Sequence, residues 1–204
     1  METLKELGID KNTLVIFTSD NGGLDSKGRP TDNAPLRSGK GFPYEGGIRV
    51  PFLVRWPGVI PAGKLSNTPI SSIDIFPTIL EAVGVPLPND RAIDGLSLLS
   101  HFKSGGSADL NRDELLWHFP HYRYGSPPYS IIRKGDWKLI KFWTGSIELY
   151  NLATDLGEQK NLAPDMPEKV VELDALLMKR LRADQAKLPR RNPDYVPRES
   201  TKTP

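Results

Sequence analysis

The chain has 204 residues, of which 38% are apolar and 25% charged, and a formal net charge of +2. Such a composition is ordinary for a soluble chain of one or two domains. It has no basic excess to mark a nucleic-acid partner, and no apolar run near the ~20 residues that a membrane span needs. There is no cysteine, which excludes disulfides and thiolate metal sites and leaves the redox compartment open.

The opening METLKELGID is polar and amphipathic, so it does not read as a signal peptide. Residues 1–8 read instead as the end of a helix, with Leu4 and Leu7 on one side and Gly8 past the last turn. A strand follows at Thr13–Thr18. Its run Leu14–Val15–Ile16–Phe17 predicts burial on both faces, as in a parallel sheet, and a helix feeding such a strand fits an α/β fold. The strand ends in Ser19–Asp20–Asn21–Gly22–Gly23. In open α/β sheets, ligand sites lie outside the carboxyl ends of strands. Two oxygen-bearing side chains there, Asp20 and Asn21, suit a hard cation such as Ca²⁺ or Mg²⁺. Taken alone, Asp20–Asn21–Gly22 also reads as a strand-terminating Asx turn.

What sets it apart is the segment downstream. Leu24–Gly39 is a surface loop of Gly, Pro, Asp, Asn and Lys. Then comes Ser38–Pro51, SGKGFPYEGGIRVP, with four glycines and three charges. A lysine amid glycines, here Lys40, can set a point charge beside a bound oxyanion with backbone N–H groups close by. Glu45 and Arg49 hold the glycine turn in this reading, as an exposed ion pair of little energetic weight.

Phe52–Trp56 is a second buried-strand candidate, stopped by Pro57–Gly58, and Val59–Thr68 is a loop. Ser71–Val83 predicts an amphipathic helix with Ile73, Phe76, Leu80 and Val83 on one face. Asp74 is placed to cap it, Pro77 falls in its first turn, and Gly84 ends it. Capping accounts for Asp74 better than catalysis does. Ile93–Leu99 is a turn and a short apolar element, and the polar, Gly- and Ser-rich Lys103–Arg112 marks a boundary.

Leu115–Tyr124, LLWHFPHYRY, reads as a strand entering an aromatic loop. His118 and His121 stand three apart among aromatics, which invites a metal-site reading. Pro120 excludes a helix there and no third ligand is evident, so pocket-lining or structural roles fit the two histidines better. Tyr129–Arg133, Asp136–Trp143 and Ile147–Tyr150 predict short antiparallel strands, with turns at Lys134–Gly135–Asp136 and Thr144–Gly145–Ser146. Asp155–Glu158 is a further turn. Asp165–Asp184 predicts a covering helix, with Asp165 and Glu168 as a capping box and Val170, Leu173, Leu177 and Leu181 as its apolar stripe. Lys187–Pro204 is rich in proline and charge and reads as a flexible tail; its Arg190–Arg191 pair is a weak hint of an anionic partner. The expected fold class is α/β over 1–108, a small α+β subdomain with an antiparallel sheet and packing helix over 109–186, and the tail over 187–204.

Several stretches together resemble the sulfatase family of the alkaline phosphatase-like superfamily. They are TLVIFTSDNGG, GKGFPYEGGIRVPFLVRWPG, SSIDIFPTILEAVGVPLP, DGLSLLSHF, IIRKGDWKLI and ELYNLATDLGEQKNLA, in the family's order. The resemblance runs from about Leu4 to about Arg182 and covers the C-terminal half of that fold. It implies hydrolysis of an aryl or carbohydrate sulfate by a metal and a formylglycine. It implies Asp20 and Asn21 as the later pair of Ca²⁺ ligands (Mg²⁺ is the alternative) and Lys40 as the lysine on the sulfate and its leaving oxygen. It also implies that the aromatic loop carrying His118 and His121 helps shape the substrate pocket. The partners it implies are a sulfated small molecule or glycan and the N-terminal half of the fold, with neither nucleic acid nor membrane; the parent is expected to be periplasmic, secreted or lysosomal. The chain departs from the pattern in its nucleophile, in the family's N-terminal pair of metal-binding aspartates and in its other sulfate-contacting Lys and His residues, none of which is found here. The formylglycine arises in a C/S-x-P-x-R motif, and the sole Ser-x-Pro here, Ser126–Pro127–Pro128, lacks the arginine. The isolated chain is therefore expected to be inactive, and an inactive fragment, a non-catalytic interaction module or a related phosphoesterase are the alternatives. Asp-Asn beside Gly-Lys-Gly fits a sulfatase better than a phosphatase, whose site typically pairs Asp with His.

Overall fold

A short apolar run can become a strand only where another strand takes up its N–H and C=O groups. In the computed structural model, which describes residues 1–25, 31–123, 125–190 and 192–194, the first such run does this by doubling back on a later one. Helix α1 (Glu2–Glu6) closes at Gly8, whose φ of +68° lets Gly8 and Ile9 donate to the carbonyls of Lys5 and Leu4. Strand β1 (Val15–Thr18) follows, then the glycine-rich segment with the one-turn helix α2 (Glu45–Ile48), then β2 (Phe52–Arg55). β1 and β2 pair antiparallel, with Val15 opposite Arg55 and Thr18 opposite Phe52.

This corrects the expectation of a strand buried on both faces in a parallel sheet. Among the described residues β1 has β2 as its sole partner strand, and the cross-strand pair Phe17 and Leu53 is 62% and 59% exposed. The other face of the ribbon is covered: Phe52 and Val54 pack on the buried Leu98, Phe102 and Leu110. The apolar run encodes burial on two sides, and this chain covers one of them.

Helix α3 (Ile75–Ala82) is preceded by a 3₁₀ turn at Ser72–Asp74 and stopped at Gly84, φ +71°. Asp74 caps as expected, together with Ser71: the two form a reciprocal capping box, with the Ser71 N–H donating to Asp74 Oδ2 at 2.8 Å. Asp74 is fully buried and does more than cap. It accepts the Leu96 N–H at 2.9 Å and both arms of the Arg112 guanidinium, at 2.9 and 2.5 Å. The face that α3 buries holds Pro77 and Thr78, while Ile73, Phe76, Ile79 and Val83 are exposed. Helix α4 (Leu99–Lys103) then supplies Leu99 and Phe102 to the core.

Strands β3 (Glu114–Phe119), β4 (Tyr129–Lys134), β5 (Trp137–Phe142) and β6 (Ile147–Asn151) form an antiparallel sheet in chain order, as the turn residues foretell for β4 to β6. Gly135 and Gly145, at φ +57° and +118°, make the turns that β-carbons resist. Period-two alternation gives the sheet two apolar faces. Ile132, Leu139 and Leu149 meet Leu173, Leu177 and Leu181 of helix α5 (Pro167–Ala183). Ile131, Ile140, Phe142 and Tyr150 face the opposite way, toward Tyr44 and Ile48 of the glycine-rich segment. The expected Asp165–Glu168 box does not form: Met166 takes the cap position without a side-chain bond, and Pro167 opens the helix, where a missing N–H costs nothing. Most of the expected flexible tail lies outside the described residues. No described helix is long and apolar enough to cross a membrane.

Candidate active site

Backbone contact that only glycine permits brings the two sequence motifs together. A β-carbon on Gly22 would lie 1.8 Å from the Gly46 carbonyl oxygen, and one on Gly39 would lie 2.3 Å from that of Gly23. The Gly22 N–H donates to Gly47 O and the Lys40 N–H to Gly23 O, both at 2.9 Å. The Asn33 amide reinforces the join, donating to Gly23 O and Ser38 O at 3.0 Å each. The strand end bearing Asp20 and Asn21 is thus stitched to the loop bearing Lys40.

Asp20, Asn21 and Lys40 line one cleft of about 730 Å³. Its far wall is the cleft-facing side of β3, Leu115, Trp117 and Phe119, and Arg49, Arg123 and Arg133 line it too. Positive groups outnumber Asp20 and the buried Glu45, so the cleft suits an anionic ligand. Arg133 was not legible as a site residue; it lies far along the chain in no local motif, and the β3–β4 register turns it this way, opposite Leu115. Arg123 comes from the aromatic loop after β3, where it bridges to Ser126.

The histidines fall differently. Odd positions of β3 face the cleft, so His118 is turned to the other side of the sheet. There its Nδ1 pairs with Ser130 Oγ at 2.7 Å and its Nε2 with the Lys187 carbonyl at 3.0 Å. His121 is exposed and lies edge-on to Phe119, ring centroids 5.5 Å apart. Neither is among the residues that line the cleft. The pocket-lining expectation for the pair is corrected accordingly: period-two alternation gives His118 a structural place and leaves His121 beside the rim.

Behind the loop lies a buried charged network, and Glu45, expected in an exposed pair with Arg49, belongs to it. Glu45 is 2% exposed, and its main partner is the fully buried Lys138 at 2.9 Å, with Arg49 further off at 3.7 Å. Lys138 also pairs with buried Glu158 at 2.8 Å. Burial raises the Glu158 carboxyl above the usual range, against the pull of the Lys138 ammonium. Nearby, burial and then Glu148 push the Tyr44 phenol up to about 12, and the same two causes raise Tyr150. Arg37, whose charge burial opposes, is held protonated by Tyr44, Tyr150 and Glu148 around it.

A carboxylate and an amide oxygen at a strand end are hard donors, so Asp20 and Asn21 fit a hard cation in kind. They fall short in number of the about six to eight oxygens that Ca²⁺ takes. Among the described residues no group of three or more His, Cys, Asp or Glu could hold a metal.

The family model described as Sulfatase matches residues 1–85. A "Sulfatase" of Formosa agariphila is 40% identical over 187 residues, covering 86% of this chain and 33% of that protein. The chain belongs to the sulfatase family. The N-acetylgalactosamine-6-sulfatase of Mus musculus is 35% identical over 166 residues, covering 80% of this chain and 30% of its own length. Among solved structures, this sulfatase chain superimposes on a protein in complex with its substrate D-glucosamine-2-N,6-O-disulfate, with TM-score 0.75 and 27% identity, covering 92% of this chain and 38% of the other. A phosphonate monoester hydrolase of Agrobacterium radiobacter shares the fold at TM-score 0.69 and 27% identity, over 90% and 37% of the two chains. The fold is thus the mixed helix-and-sheet, alkaline phosphatase-like fold expected. The chain spans about a third of the length of the curated relatives it matches. Sulfatases generally use a metal ion and formylglycine.

Proposed function

We propose that this chain carries the Asp20–Asn21–Lys40 part of a sulfatase active site whose substrate is a carbohydrate sulfate ester. The observation that carries the reading is the stitching of Gly22 to Gly47 and of Gly23 to Lys40, which sets two hard oxygen donors and an ammonium in one cation-lined cleft. A sugar is favoured over an aryl or steryl group by extent of likeness. The N-acetylgalactosamine-6-sulfatase match covers 80% of this chain, and the steryl-sulfatase of Rattus norvegicus covers 58%.

In this reading Asp20 and Asn21 hold a hard cation, Ca²⁺ or Mg²⁺, with further ligands supplied from outside the described set. When bound, that cation neutralises charge on the sulfate and orients the attacking group. Lys40 holds its ammonium beside the sulfate and the bridging oxygen. As the S–O bond breaks, charge grows on that oxygen, and the ammonium stabilises it or delivers a proton to it. Arg133 adds positive charge along the wall. The formylglycine motif is absent from these 204 residues, so the nucleophile is supplied from outside this chain and the chain alone turns nothing over.

The test completes this chain with a sulfatase segment that carries the C/S-x-P-x-R motif and supplies a 6-O-sulfated amino sugar. Asp20→Ala and Lys40→Ala should each abolish most turnover, and His118→Ala should spare it. Full activity in Lys40→Ala would remove the proposed site.

A further inference from the structure

The sheet of the C-terminal subdomain holds a lysine that its own alternation turns inward. Lys138 shares its face of β5 with Ile140 and Phe142 and is 0% exposed. An ammonium out of water must be paired, since the desolvation loss is otherwise unopposed. Its partners come from two distant parts of the chain. Nζ lies 2.9 Å from Glu45 Oε1 and 2.8 Å from Glu158 Oε1. The other oxygen of Glu158 accepts the backbone N–H of Glu45 at 2.6 Å. Glu45 is therefore gripped at main chain and side chain alike.

Glu158 has φ +51°, in the left-handed region that favours glycine. A non-glycine held there stores strain, which persists where the surroundings over-determine the residue. Here the carboxylate is what the position requires.

The grip leads straight to the site. Glu45 precedes Gly46 and Gly47, and Gly47 O is the acceptor for Gly22, next to Asn21. A second tie fastens the other end of the loop. The Arg37 guanidinium donates to Tyr150 Oη at 2.9 Å and to the Glu158 carbonyl at 3.0 Å, and lies 3.7 Å from the centre of the Tyr44 ring. Arg37 O in turn accepts the Gly46 N–H at 2.9 Å. Lys40 stands between these two anchors. Buried ionic networks are weak sources of stability beside an apolar core of like volume, so this one is better explained by the geometry it fixes.

We propose that Lys138, acting through Glu45 and Glu158, is a positioning residue: it locks the Lys40 loop onto the Asp20–Asn21 strand end from the C-terminal sheet. Its meaning for catalysis rests on the sulfatase reading above; the geometry itself can be measured with no substrate present. The experiment is residue-resolved amide exchange by NMR on the 204-residue chain, comparing wild type with the variant Glu45→Gln, Lys138→Met, Glu158→Gln. That variant removes all three charges at nearly constant volume and leaves no carboxylate stranded. The Gly22 and Lys40 amides should exchange at least about tenfold faster, a local opening, while amides of the β4–β5 ladder keep the wild-type rate. Unchanged rates at Gly22 and Lys40 would overturn the proposal. So would a rise at those two amides that merely keeps step with the ladder, since the network would then support the fold as a whole and position nothing. Glu158→Gln alone, a milder change, is judged by the same comparison if the triple variant unfolds. Should the Lys40→Ala kinetics fail instead, the sulfatase reading falls and the exchange result stands.

Discussion

Removing the Arg112 guanidinium would leave the Asp74 carboxylate buried with two backbone N–H donors and no counter-charge. Asp74 is 0% exposed and Arg112 is 11% exposed at its side chain, so solvent screens the pair little. Breaking a buried pair from one side costs about 3–5 kcal/mol. The Ser71 and Leu96 amides stay in place and still solvate the carboxylate, which puts Arg112→Leu at about 3 kcal/mol, the low end of that range. For a chain of this size, each kcal/mol moves Tm by about 2–4 °C, so the expected fall is about 6–12 °C. Urea unfolding followed by circular dichroism would give the free energy, and a thermal scan the Tm. The comparison is Arg91→Ala, which breaks the Asp90–Arg91 pair at 2.7 Å; both side chains there are over 60% exposed, and no measurable loss is expected. A loss below about 1 kcal/mol in Arg112→Leu, or one matched by Arg91→Ala, would refute the claim that buried charge at Asp74 ties α3 to the segment entering β3.

Leu177 is fully buried between α5 and the sheet, so Leu177→Ala should cost about 2–5 kcal/mol by urea unfolding, and a smaller change would mean that α5 packs loosely. The Tyr44 phenol is raised to about 12 and Tyr150 is raised as well, so their contribution to stability is full below pH ~10, the ordinary phenol value, and is lost as pH rises toward 12. A phenolate absorbance titration of wild type against Tyr44→Phe checks this, and loss of a normal step at pH ~10 would contradict it. The exposed Phe17, Leu53, Phe76 and Val83 should make the isolated chain self-associate, and Phe17→Ser with Phe76→Ser should reduce that in sedimentation velocity; a wild-type chain that stays monomeric at every concentration would argue against it.

Elements whose signals are local were legible in the sequence. Turn glycines at Gly135 and Gly145 were enough for the β4–β5–β6 hairpins, though not for the pairing of β3 with β4, and the leucine spacing of 173, 177 and 181 was enough for α5. The candidate site was legible where one short motif carries it: Asp20–Asn21 and Lys40 meet because glycines flank both. What failed depended on partners far along the chain. The Leu14–Phe17 run encodes two covered faces, and no local signal says which strand will pair with it. For His118 two roles stayed open, pocket-lining and structural, although alternation from Trp117 and Phe119 could have turned it from the cleft and chosen the structural one. The same rule would have turned Lys138 inward with Ile140 and Phe142, and an inward lysine predicts buried carboxylates. Glu45 and Glu158 were then the ones to seek, but nothing near them in sequence names them.

In the proposed reaction Lys40 acts on the leaving oxygen of a sulfate ester. The most direct measurement is the steady-state kinetics of Lys40→Ala in the completed enzyme, on an activated and an unactivated sulfate ester of the same sugar. Loss of one such charge-stabilising group typically lowers kcat by about 10²–10³. With the unactivated ester, kcat should fall by that much while KM changes little, because the charge it offsets peaks in the transition state. With the better leaving group the deficit should shrink. Equal deficits on the two esters would contradict the account and leave Lys40 a sulfate-binding charge; an undiminished kcat on both would take it out of the site.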